Sequence, residues 1–147
     1  MISGTIGVVT VVASQLGHLG FDRVEFSGGT TRFNFAKFSG GTVGFERARF
    51  SGSALSFYGA EFSGGDVGFE RAKFSSSTIR FYSTKFSRGT VRFDGAEFCG
   101  GMVGFDGGDR FDGAEFSGGE VAFVDAQFNG ATVPGPWGGG PPPSRWP

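Results

Sequence analysis

Phenylalanine returns along this chain at alternating intervals of five and seven residues. From Phe21 the template F-x-x-A-x-F-S-G-G-T-V-x begins again at Phe33, Phe45, Phe57, Phe69, Phe81 and Phe93. It resumes at Phe111 and Phe123, after the phrase FDGGDR at residues 105–110 has added six residues. Nineteen of the twenty Phe fall on this pattern and Phe35 does not. Spacings of five and seven match neither the 3.6-residue period of an amphipathic helix nor the long alternation of an ordinary strand. The Gly-Gly pair of nearly every unit would also weaken a helix by about 1 kcal/mol per Gly. Helical repeats are therefore excluded.

What remains is a chain of short extended pieces, A-x-F and V-x-F, whose first and third residues point to one side and whose middle residue points to the other. Ala36/Phe38, Val43/Phe45, Ala48/Phe50, Leu55/Phe57, Ala60/Phe62 and Val67/Phe69 are expected inside, with Lys37, Arg49, Glu61 and Lys73 outside. Corners are expected at S-G-G-T, where Gly supplies positive φ, and at pairs such as Glu46-Arg47. The core continues through Phe74, Phe81, Phe86, Phe93 and Phe98.

Alternate units agree better than neighbours. FERARF at 45–50 returns as FERAKF at 69–74, and FYGAEF at 57–62 returns as FYSTKF at 81–86. Pieces this short are stable only when paired with an equivalent piece in the next coil. An offset of 24 stacks Phe on Phe and Tyr58 on Tyr82, whereas an offset of 12 stacks Glu46 on Tyr58. The expected fold is an all-β solenoid with four short sides per coil, four to five coils over residues 21–134, about 23 Å tall at ~4.8 Å per coil.

A small residue two places before a large inward one, repeated in tandem, resembles the pentapeptide-repeat family. The central Phe of that motif matches Phe38, Phe50, Phe62, Phe74, Phe86, Phe98, Phe116 and Phe128. Its small residue matches Ala36, Ala48, Ala60, Ala72, Thr84, Ala96, Ala114 and Ala126. The resemblance implies a right-handed quadrilateral β-helix, and the two extra residues in every second unit imply two enlarged corners per coil. Residues 1–20 are expected to form a degenerate repeat and cap, 21–134 the solenoid, and 135–147 a Gly/Pro-rich tail without strand or helix. In that tail Trp137 would plug the last coil.

Signals of chemistry are sparse. One histidine, His18, and one cysteine, Cys99, far apart in the chain, assemble neither a zinc site nor a thiol–imidazole pair. The S-G-G turns lack the Lys-Ser/Thr and helix of a phosphate loop. Carboxylate pairs Asp94/Glu97 and Asp112/Glu115 recur across corners, but a convex column provides no pocket to raise one pKa. No enzyme activity, cofactor or metal is expected. Ice binding would need an unbroken threonine array, and Thr30, Ala54, Thr78, Met102 on one side and Thr42, Asp66, Thr90 on another interrupt it.

Charge is divided along the chain. Residues 21–92 carry 11 basic and 6 acidic residues, about +5, and residues 93–127 carry 8 acidic residues and one basic, about −7. Arg23, Arg47 and Arg71, spaced by 24 and flanked by Asp22, Glu46 and Glu70, form one candidate interaction surface. Asp94, Glu97, Asp112 and Glu115 form the other. The expected function is a non-enzymatic scaffold with another protein as partner, and opposite charges at its ends allow head-to-tail self-association. The alternative is DNA mimicry directed at a bacterial gyrase or topoisomerase, which the resemblance implies for acidic members of the family. A net charge of −1 gives no overall pull toward nucleic acid, and the apolar segment at residues 5–13 is too short to span a bilayer. A cytoplasmic protein is expected.

Overall fold

In the computed structural model of the chain, which describes residues 6–8, 17–107, 112–137 and 141–147, each F-x-x-A step closes a tight turn. The fourth residue's N–H donates to the carbonyl of the first, as in Ala36 to Phe33 at 3.1 Å and Ala60 to Phe57 at 3.0 Å. The third residue of the turn is left-handed, with φ of 61° at Arg23, 56° at Arg47, 65° at Gly59 and 66° at Gly95. This is the type II signature. The S-G-G-T stretches make the wider corners, where Gly28, Gly41, Gly52 and Gly100 also take positive φ.

Between corners lie strands of two to four residues, and they stack into four parallel sheets. Face I contains His18–Gly20, Thr42–Gly44, Asp66–Gly68, Thr90–Arg92 and Glu120–Ala122. Face II contains Glu25–Ser27, Arg49–Ser51, Lys73–Ser75, Glu97–Cys99 and Gln127–Asn129. Face III contains Ile6–Val8, Thr30–Arg32, Ala54–Ser56, Thr78–Arg80 and Met102–Gly104. Face IV contains Lys37–Phe38, Glu61–Ser63, Lys85–Arg88 and Glu115–Phe116. The chain visits them in the order I, II, III, IV, so the tight turns lie at the I/II and III/IV corners and the wide ones at II/III and IV/I. The register is 24 residues, as in Phe26↔Phe50↔Phe74 and Val43↔Val67↔Val91. The result is an all-β solenoid of about four turns.

Four columns of Phe fill the interior. Phe26, Phe50, Phe74 and Phe98 stack with ring centroids 4.7 to 4.8 Å apart and planes within 8°. Phe38, Phe62 and Phe86 stack at 4.6 and 4.9 Å, Phe45, Phe69 and Phe93 at 4.8 and 4.9 Å, and Phe57 and Phe81 at 4.9 Å. These spacings equal the strand separation of a sheet, so the hydrogen-bond ladder and the ring stack share one repeat. All these rings are buried, and so are Ala36, Ala48, Ala60, Ala72 and Ala96, whose small side chains leave room for them.

Two expectations need correction. The register does not restart at Phe111, which lies outside the described residues. Phe105 takes the corner position, stacked on Phe81 at 4.8 Å. Ala114 N–H donates to the Phe105 carbonyl at 2.7 Å, the same bond that closes every other tight turn. The six added residues therefore fall between Phe105 and Ala114, at one III/IV corner, and the offset beyond it becomes 30, as in Phe86↔Phe116 and Phe98↔Phe128.

The second correction concerns the tail. Arg145–Trp146 is a short strand, antiparallel to Glu120–Ala122 on face I. The backbone there finds partners in spite of the prolines, because Ser144 C=O accepts from Phe123 N–H at 2.7 Å and Arg145 reaches the Glu120 carboxylate at 2.8 Å. Trp137 stands edge-on to Phe105 and Phe123 at 5.3 and 6.1 Å and to Trp146 at 5.9 Å. Part of residues 135–147 thus belongs to the folded body as its lid. At the other end His18–Gly20 and Ile6–Val8 extend faces I and III by one strand each. Residues 1–5 and 9–16 of the expected cap lie outside the described residues.

Candidate interaction surfaces

The I/II corner sorts charge by turn position. Asp22, Glu46, Glu70 and Asp94 occupy the second turn residue, and Arg23, Arg47 and Arg71 the left-handed third. Arg23 N–H donates to the Glu46 carbonyl at 2.8 Å and Arg47 N–H to that of Glu70 at 2.9 Å, so the arginines form a true column. Arg47 and Arg71 both lie near Glu46 Oε1, at 3.8 and 3.9 Å. On adjoining face II, Arg49 meets Glu25 at 3.6 Å and Lys73 meets Glu97 at 3.7 Å. All of these pairs are exposed and long, so each contributes ~0–1 kcal/mol and leaves its cation accessible to a partner.

Beside the acidic column, on face I, a groove of about 540 Å³ runs across the coils. Its floor follows from the middle residue of V-G-F, where Gly44 and Gly68 lack a side chain. A Cβ on Gly44 would lie 2.7 Å from Asp22 Oδ1, and one on Gly68 would collide with the Glu70 carboxylate. Corner carboxylates therefore fold over the strip. Asp22 accepts from Glu46 N–H at 2.9 Å, Asp66 from Thr90 N–H at 2.8 Å and Asp94 from Val124 N–H at 3.0 Å, each joining one coil to the next. The recurrence of V-G-F with its glycine at 44 and 68 was the sequence signal for this groove.

The four acidic candidates do not meet. Asp94 and Glu97 belong to the I/II corner and face II, one bonded to Val124 N–H and the other beside Lys73. Asp112 and Glu115 belong to the diagonally opposite III/IV corner and face IV. The Asp112 carbonyl accepts from Ser83 N–H at 2.8 Å, and Glu115 stands in register with Lys85. That same corner holds Tyr58 and Tyr82 in successive coils, the pair that the 24-residue offset brings together, and Phe35, which falls off the repeat.

Among the described residues no group of three or more His, Cys, Asp and Glu is placed to hold a metal ion, and no helix is long and apolar enough to cross a membrane. Fold and surface together define a four-faced β-solenoid scaffold with a phenylalanine core and charged outer columns, an architecture suited to a structural or interaction role. Compared with protein-family models, with curated proteins and with solved structures, the chain matches none.

Proposed function

We propose that this chain is a non-enzymatic scaffold of the pentapeptide-repeat type whose outer columns bind another protein in the cytoplasm. One observation carries the reading. Stacked rings fill the interior, while charged side chains are held outside at a fixed rise, so the molecule presents a rigid patterned surface. The column of Arg23, Arg47 and Arg71 is the favoured contact, since its ion pairs are weak enough to exchange for those of an acidic partner. A photo-crosslinking side chain at position 47 or 71, introduced in the source cell, should give a discrete adduct with one other protein. Absence of an adduct at both positions would overturn the reading.

DNA mimicry is the competing proposal. It requires a continuous acidic surface, and the separation of Asp94 and Glu97 from Asp112 and Glu115 by the width of the column supports the scaffold instead. Gyrase supercoiling should be unchanged by the purified protein, with or without a fluoroquinolone. Dose-dependent inhibition or drug protection that disappears on neutralising Asp112 and Glu115 would establish mimicry.

A further inference from the structure

The interior uses every described phenylalanine except one. Phe35 is 66% exposed and is the only exposed large hydrophobic residue among those described. Its backbone is left-handed, φ 59°, a strained conformation that bulky residues rarely adopt. Its ring lies over Gly59 and meets Tyr58 edge-on at 5.4 Å. Folding does not require an aromatic there, since the equivalent turn position holds Gly59 one coil on and Ser83 two coils on. The chain's two tyrosines, Tyr58 and Tyr82, occupy successive coils of the same corner. An exposed Phe35 with half-buried Tyr58 and Tyr82, beside the half-buried Arg32 and Arg80 at the edge of face III, has the composition of an interface centre.

Face IV, which this corner borders, states what would cover it. Its outward column reads Lys37, Glu61, Lys85, Glu115 in strict register, so the sign alternates plus, minus, plus, minus. Reversed, that order is its own complement. When two copies meet face IV to face IV about a two-fold axis lying along the strands, their solenoid axes run antiparallel and the III/IV corners coincide. Lys37 then faces Glu115 and Glu61 faces Lys85, each pair formed twice. Along the corner Tyr58 faces Tyr82, and Phe35 faces Gly113, the turn position that follows Asp112, whose carbonyl accepts from Ser83 N–H. Face II fails the same operation, because over the same coils Glu25 would face Glu97 and Arg49 would face Lys73. The internal pair Lys37–Glu61 is exposed, at 3.9 Å, and can be exchanged for a contact across the axis. A quarter of the 7054 Å² molecular surface is about twice the ~800 Å² per partner of a standard interface, so one side of the column is large enough.

The geometry points to face IV and the Phe35–Tyr58–Tyr82 corner as the docking surface for a second, antiparallel copy of this chain. The inference rests on the scaffold reading and adds a partner to it. Sedimentation equilibrium of the full chain at low salt should give a closed dimer, twice 15.4 kDa, that dissociates as salt rises. Phe35→Gly, which suits the left-handed backbone, should weaken the dimer about tenfold or more at unchanged circular dichroism. Lys85→Glu and Glu61→Lys should each be monomeric alone, and an equimolar mixture should recover the dimer, because every facing pair across the axis is again opposite in charge. A monomeric wild type, a dimer indifferent to Phe35→Gly and the charge reversals, or masses growing beyond the dimer as in head-to-tail stacking would overturn this proposal. None of those outcomes would affect a cross-link to a different protein at position 47 or 71.

Discussion

Phe62 is fully buried between Phe38 and Phe86, with ring centroids at 4.6 and 4.9 Å, so removing it opens a gap that neither neighbour can close without leaving its own sheet. Phe62→Ala should lower stability by about 3–5 kcal/mol, read as a fall in the urea midpoint. An unchanged midpoint would contradict the stacked core. The left-handed turn residues allow a test of opposite sign. Arg71→Gly removes a side chain from a φ of 56° and should be neutral or stabilising by up to about 1 kcal/mol, whereas Gly95→Val, at φ 66° in the same column, should be destabilising by at least that much in the same titration. Core residues of this kind were legible in the sequence because inward Phe and Ala recur at fixed spacing. The conformation of Phe35 was not, since nothing in its type announces positive φ.

At the scale of the element, the strands are too short to persist alone, and the question becomes what closes the last ones. Face I ends in the antiparallel Arg145–Trp146 strand, and the Phe105 and Phe123 columns end under Trp137. Removing residues 135–147 should lower the melting temperature and promote aggregation at higher concentration, because the Glu120–Ala122 edge is then unpaired. Light scattering during a melt will record both, and a truncated chain as stable and dispersed as the full one would show that the lid has no such role. Trp137 over the last coil was expected from the sequence, but the Arg145–Trp146 strand was illegible beforehand. Glycine and proline in GPWGGGPPPSRWP argue locally for an irregular tail, and only the free edge of face I, a feature of the assembled solenoid, supplies a partner for it. The enlarged II/III and IV/I corners were legible, since each wide corner is written as S-G-G-T or a close variant. The destination of the six-residue addition was not, because Phe105 and Phe111 both satisfy the template and only the closed turn from Ala114 to Phe105 distinguishes them.

For the whole molecule, the division between an apolar stack and a charged surface separates two kinds of salt response. The pairs Lys37–Glu61, Arg47–Glu46, Arg49–Glu25, Arg71–Glu46 and Lys73–Glu97 span 3.6–3.9 Å between exposed groups, so raising ionic strength should leave the melting temperature nearly unchanged at a protein concentration where the chain is monomeric. A large fall would mean that surface charge contributes to folding. Fold class was thus readable from one dimension, whereas the candidate surfaces were not. Which carboxylates share a side depends on the 30-residue offset beyond the insertion, and that offset sends Asp112 and Glu115 to face IV and its corner, away from Asp94 and Glu97. The insertion also has a consequence for how such a chain changes over time. A column of this kind resembles a one-dimensional crystal, and the insertion between Phe105 and Ala114 is an interstitial defect that leaves the stacking of Phe86 on Phe116 and Phe98 on Phe128 in place. Layers above and below keep their lattice spacing, so the corner between Phe105 and Ala114 is a place where new sequence can be accepted without dislocating the stack.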